Sequence, residues 1–90
     1  MSSQKYQLTK IQNSSQVADE TIVVNFQNGY YYGLNEVGTF IWEQLKENPL
    51  SIAELKEKVL ETFEIDETTC ENDVQAILKD LIHEKLVETA

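Results

Sequence analysis

The sequence predicts an α+β domain, a three-stranded antiparallel sheet followed by three helices. Three observations carry this. Between Thr21 and Leu34, β-branched and aromatic residues flank Asn28-Gly29, the pattern of a hairpin. From Val37 onward, apolar residues recur at helical spacing. Asn35, Asn48-Pro49 and Ser51 supply a helix cap, a stop and a second cap. A chain of 90 residues, 41% of them hydrophobic, suffices for one such domain with a modest core and is too apolar for disorder.

In order, the polar residues 1–5 are expected to be flexible. Residues 6–11 (YQLTKI) alternate in polarity and read as the first strand. Residues 12–16 (QNSSQ) are polar turn formers and read as a loop, with Val17-Ala18 as a short extended piece. The second strand covers residues 21–26. With Asn28-Gly29 as a two-residue type I′ turn, Phe26 pairs with Tyr31, Asn25 with Tyr32, Val24 with Gly33 and Val23 with Leu34. One face then carries Ile22, Val24, Phe26 and Tyr31. The other carries Val23, Tyr30, Tyr32 and Leu34. Helices on one side of this hairpin leave more apolar surface exposed than a closed small domain needs.

Asn35 caps a helix expected over Glu36–Glu47, whose apolar face holds Val37, Phe40, Ile41 and Leu45, with Trp42 at its edge. Gly38 costs about 1 kcal/mol in a helix interior, so it is read as permitting close approach to the sheet. Ser51 and Glu54 fit a capping box for a helix from Ile52 to about Phe63, with Ile52, Leu55, Val59 and Phe63 inward and a Glu54–Lys58 pair outward. Ile65 plugs the linker. Thr68 and Glu71 suggest a second capping box for a helix from about Thr69 to Lys85. Its stripe is Val74, Ile77, Leu78 and Leu81, with Cys70 and Ile82 at the margins. Leu86-Val87 then leaves the helix as an extended end packed on the core.

The short link between the second and third helices is compatible with a winged helix-turn-helix-like arrangement, the hairpin serving as the wing. DNA is nevertheless a poor partner. The chain has a net charge of −9, with seven Lys and no Arg, and the third helix sets Lys79 and Lys85 against Glu71, Asp73, Asp80 and Glu84. Such an acidic surface most simply keeps a small protein soluble. Catalysis finds no support either. Cys70 and His83 are each the single residue of their type, and Gly29, Gly33 and Gly38 make no phosphate loop. No metal, cofactor or enzymatic activity is expected. An acidic carrier is a weaker alternative, because Ser51 follows Leu50 where a carrier has Asp. No apolar run approaches the roughly 20 residues of a membrane helix, and the start lacks a signal-peptide core, so a cytoplasmic protein with no membrane partner is expected. A protein-interaction module remains, with the aromatic strand Tyr30, Tyr31, Tyr32, Gly33 and Leu34 offering an edge to which an extended peptide can add.

The run from Gly29 through Tyr31-Tyr32, Leu34-Asn35 and Gly38 to Ile41-Trp42 and Leu45 resembles the PqqD-like family, the recognition elements for precursors of ribosomally synthesised, post-translationally modified peptides. The block at Ser51-Ile52-Ala53-Glu54-Leu55 and the spacing of Asp73-Val74, Ile77-Leu78, Leu81 and Leu86-Val87 continue the likeness. It covers most of the chain from Val17 to Val87 and departs at Lys85, where members often carry Gly. The resemblance implies a non-catalytic module that binds a precursor's leader peptide by strand addition. By position, the leader would lie along Tyr30, Tyr31, Tyr32, Gly33 and Leu34 and against the third helix at Asp73, Ala76, Ile77 and Asp80. It also implies delivery to a maturation enzyme, either the leader peptidase and cyclase of a lasso-peptide pathway or a radical-SAM enzyme. The Tyr31–Gly38 block leans to the lasso pathway. An open sheet edge is compatible with a monomer or a weak homodimer.

Overall fold

The computed structural model describes residues 4–90. The order is β1 (Lys5–Leu8), β2 (Gln12–Val17), β3 (Glu20–Asn25), β4 (Tyr31–Leu34), α1 (Glu36–Glu47), β5 (Leu50–Ser51), α2 (Ile52–Thr62), α3 (Glu67–His83) and β6 (Val87–Thr89). The α+β class and the three helices match the expectation. The strands form two three-stranded antiparallel sheets, β5-β1-β6 and β2-β3-β4, so winged helix-turn-helix describes the fold only loosely.

The second sheet corrects the reading of residues 12–16 as a loop. Gln12–Val17 pairs with Glu20–Asn25 along its whole length. Its side chains are nearly all polar and most are exposed, so backbone pairing alone makes it a strand, and that leaves no periodic trace in the sequence. The strand expected over residues 6–11 ends at Leu8 and joins the chain termini instead. Lys5 and Tyr6 pair with Ser51 and Leu50, and Tyr6, Gln7 and Leu8 pair with Thr89, Glu88 and Val87. Of the residues expected to be flexible, Lys5 is therefore sheet; residues 1–3 lie outside the described residues.

The hairpin register also differs from the expectation. Val24 faces Tyr31, Val23 faces Tyr32, Ile22 faces Gly33 and Thr21 faces Leu34, a slip of two residues. An even slip keeps each side chain on its face, so the two faces were assigned correctly with the wrong partners. The cause is Asn25. Its carboxamide Oδ1 accepts from the backbone N–H groups of Gln27 (2.8 Å) and Asn28 (3.4 Å), and its C=O accepts from the Gly29 N–H (2.8 Å). Asn25 N–H donates to the Tyr30 carbonyl at 3.0 Å. The loop is thus four residues, Phe26 to Gly29, with Gly29 at φ 73° in the left-handed region where glycine is unstrained.

The core is continuous. Val23 and Leu34 from the sheet, Ile41, Trp42 and Leu45 from α1, Leu55 and Val59 from α2, Cys70, Val74, Leu78 and Leu81 from α3, and Leu86 and Val87 form one buried cluster. Trp42 is fully buried within it rather than at its edge. Asn35 caps α1 as expected, its Oδ1 accepting from Gly38 N–H at 2.9 Å, and a Cβ on Gly38 would come within 3.3 Å of Leu34 and Asn35. Ser51 and Glu54 form the expected capping box. Glu54 pairs with Lys5 across to β1 at 3.2 Å, where a pair with Lys58 was expected. At α3 the expected Thr68–Glu71 box does not form: the helix starts two residues earlier, with Asp66 at its N-cap position and no side-chain cap. Lys56 and Glu67 instead join α2 to the first turn of α3 at 3.0 Å.

α3 ends two residues before Lys85. Leu86 N–H donates to the Leu81 carbonyl (2.9 Å) and Lys85 N–H to the Ile82 carbonyl (3.0 Å), the paired bonds of a Schellman motif. Lys85 itself has φ 61°, the left-handed position usually held by glycine. Thr9 seals this exit through its N–H and hydroxyl, which donate to the Leu86 and Lys85 carbonyls.

Candidate functional site

The alternation of an antiparallel ladder decides which groups of β4 are free. Directly opposed residues alternate between hydrogen-bonded and non-bonded pairs. Asn25 donates to Tyr30, so Asn25/Tyr30 is a bonded pair. In the observed register the next bonded pairs are Val23/Tyr32 and Thr21/Leu34. The Tyr30 carbonyl and the backbone groups of Tyr32 and Leu34 therefore point at β3, while the Tyr30 N–H donates to Asn28 Oδ1 at 2.9 Å. The N–H and C=O groups of Tyr31 and Gly33 point away, because β4 is the edge of its sheet.

Side chains divide differently. Tyr31 stands on the outer face and is 74% exposed, beside Val24 and near Ile22. Tyr30, just before β4, is 69% exposed. Tyr32 is half-buried and packs against the core, and Leu34 is buried within it. Of the five strand residues expected at the site, Leu34 thus offers no accessible side chain, and only Tyr31 and Gly33 offer free backbone groups. A Cβ built on Gly33 would meet nothing beyond its chain neighbours within 4 Å, so the outer face of the sheet is open there.

α3 supplies the neighbouring wall. Asp73, Ala76, Ile77 and Asp80 fall on one face of the helix at spacings of three and four. Ala76 and Asp80 are exposed, Asp73 is half-buried, and Ile77 is half-buried against the core. The Tyr32 phenol brings the two elements together. Burial raises its pKa, and the adjacent Asp80 carboxylate and then Glu84 raise it further. A second tie comes from Asn25, whose Nδ2 donates to the Glu84 carbonyl at 2.9 Å. Neither Asn25 nor Glu84 was singled out from the sequence; the only signal was an asparagine closing a strand before a glycine-containing loop.

Elsewhere, a cleft of about 800 Å³ runs along β1 and β6 beside Ile11, Ile82 and Lys85 and contains none of the site residues. This separation fits a docking edge, since strand addition uses backbone groups rather than an enclosed cavity. Cys70 is buried, its Sγ 3.5 Å from the Lys56 carbonyl, and burial raises its pKa, so it lacks the thiolate character of a reactive cysteine.

Two small sheets packed on three helices, with an aromatic edge strand left open beside the last helix, define an α+β module built around an exposed β edge. The chain belongs to the family of coenzyme PQQ synthesis protein D (PqqD), whose model matches residues 20–87. That match bears out the resemblance read from residues 29–45. Among solved structures, one described as TbiB1 in complex with the TbiA(beta) leader peptide superposes with a TM-score of 0.82 at 28% identity, covering 91% of this chain and 94% of that chain. Another, lasso peptide synthetase B1 complexed with the leader peptide, superposes with a TM-score of 0.77 at 19% identity, covering 92% of this chain and 96% of that one, a likeness of fold. No curated protein matches the chain. No helix is long and apolar enough to cross a membrane among the described residues.

Proposed function

We propose that this chain is a non-catalytic recognition element that captures the leader of a ribosomally made precursor peptide as an added strand on β4. The observation that carries the reading is the open edge at Tyr31 and Gly33 on a strand whose Tyr32 phenol lies beside Asp80 of α3. It is supported by the 28% identical structure, which is described as a leader-peptide complex. The leader's backbone bonds to Tyr31 and Gly33, its apolar side chains pack on Tyr32 and Ile77, and basic residues lie near Asp73 and Asp80. The bound precursor is then presented to a maturation enzyme. A lasso-type leader peptidase and cyclase is the favoured partner over a radical-SAM enzyme, on the strength of the Tyr31–Gly38 block.

Exposed ion pairs contribute about 0–1 kcal/mol each, whereas a buried charge in an apolar contact costs several-fold more. Calorimetry with a synthetic copy of the cognate precursor's leader should therefore give micromolar or tighter affinity. Ile77→Asp should weaken it at least tenfold, and Asp80→Ala by less than about fivefold. Equal losses from the two variants would contradict an apolar contact as the main source of affinity. No binding by the unaltered chain would remove the leader reading altogether.

A further inference from the structure

The sheet has a second open edge, on β2, and it is unusually bare of protection. Natural edge strands carry lysine, proline, bulges or inward charges that deter pairing with another chain. Gln12–Val17 has none of the charged or proline guards. From Gln12 to Asn35 the only charges are Asp19 and Glu20, at the far turn, in a chain of net charge −9. The other edges are acidic by comparison. β4 has Glu36 and Asp80 beside it, and β6 contains Glu88.

The direction of the free groups follows from the same ladder rule. Phe26 N–H donates to the Ile11 carbonyl at 2.7 Å, which makes Ile11/Phe26 a bonded pair and, in register, also Asn13/Val24, Ser15/Ile22 and Val17/Glu20. The backbone groups of Gln12, Ser14 and Gln16 therefore face outward. The Asn13 side chain supports this, since its Oδ1 covers the Ser14 N–H at 3.0 Å, where a strand partner would otherwise sit.

We propose that two copies of this chain join antiparallel through β2, with Ser14 opposite Ser14 of the second copy on the two-fold axis. In that register Gln12 faces Gln16 of the other copy, so every outward-facing residue meets another outward-facing residue. The pairing is closed and self-complementary, as a two-fold interface requires. On the outer face, Val17, which is 62% exposed, lies opposite the other copy's Ile11. Asn13 lies opposite Ser15, and the Asn13 side chain gives up the Ser14 N–H to the new strand. The result is a continuous six-stranded sheet with a free β4 at each end, so a dimer presents two docking edges. The occupant is a second copy because Gln12–Val17 carries no charge, so two chains of charge −9 can meet here without setting carboxylates opposite one another. The inference does not rest on the leader reading.

Sedimentation of the whole chain from about 10 µM to about 1 mM tests it. The mass should rise from 10.4 kDa toward twice that value. Ser14→Pro removes an outward donor without touching the β3 ladder, and should weaken the dimer at least tenfold with an unchanged far-UV spectrum. Asn13→Glu with Ser15→Glu sets carboxylates opposite one another and should do the same, with Asn13→Lys plus Ser15→Glu restoring association because the opposed charges then attract. A chain that stays monomeric at the highest concentration overturns the proposal. So does a dimer indifferent to both the proline and the paired-glutamate variants, and if the proline variant fails to fold, the charge pair alone decides.

Discussion

Lys85 holds a backbone position at which glycine is unstrained, and a side chain there has a cost. It occupies the left-handed position of the α3 exit at φ 61°, where a side chain costs about 1 kcal/mol relative to glycine. Both bonds of the motif still form, so the exit is retained under strain. Lys85→Gly should raise unfolding stability by about 0.5–1 kcal/mol in urea titrations, with no change in m-value. Tyr32 makes a second residue-scale test. Burial, then the Asp80 carboxylate, raises its pKa, so the folded chain holds the phenolic proton more tightly than the unfolded chain. The associated stability is fully present below the ordinary tyrosine value of about 10 and is lost as pH rises through the raised folded value. Tyr32→Phe should therefore lose less stability than the unaltered chain on going from pH 9 to strongly alkaline solution, as followed by far-UV circular dichroism.

At the scale of elements, β4 has two kinds of backbone position, and proline distinguishes them. Gly33 donates to nothing within the chain in the deduced ladder, whereas Tyr32 is bonded to Val23. Gly33→Pro should keep the fold and abolish most leader affinity; Tyr32→Pro should break the hairpin and lower stability by about 3 kcal/mol or more. Calorimetry alongside thermal unfolding separates the two. The same hairpin shows where the sequence was legible. Period-two patterning sets Val23, Tyr32 and Leu34 on one shared face without saying which face is inner, and cap chemistry locates α1 and the start of α2, because those signals are local. The register was not legible, since Asn28-Gly29 competes as a turn with the four-residue loop that the Asn25 carboxamide organises, and that side chain is held by Glu84 at the distant end of α3. β2 was missed because a polar strand exposed on most of its length carries no hydrophobic alternation.

For the whole molecule, the β5-β1-β6 sheet ties the first strand to the last. β1 joins β5 and β6, and Glu54 binds Lys5, so the two ends of the chain close around the core. The helices then cover one face of β2-β3-β4 and leave both of its edges to solvent. The α3 face follows from the family pattern, and its link to the sheet emerges from Tyr32 of β4 beside Asp80 and Asn25 of β3 bonded to Glu84, which no local sequence signal encodes. The likeness to PqqD proteins spans residues 20–87, while the division of β4 into inward and outward backbone groups is a property of the folded register alone.

The most direct test of strand addition is residue-resolved amide hydrogen exchange of this chain with and without bound leader. The account predicts that the Tyr32 and Leu34 amides are protected in both states, held by β3, and that the Tyr31 and Gly33 amides exchange rapidly in the free chain and gain protection in the complex. Unchanged exchange at Tyr31 and Gly33 in a saturated complex would contradict it.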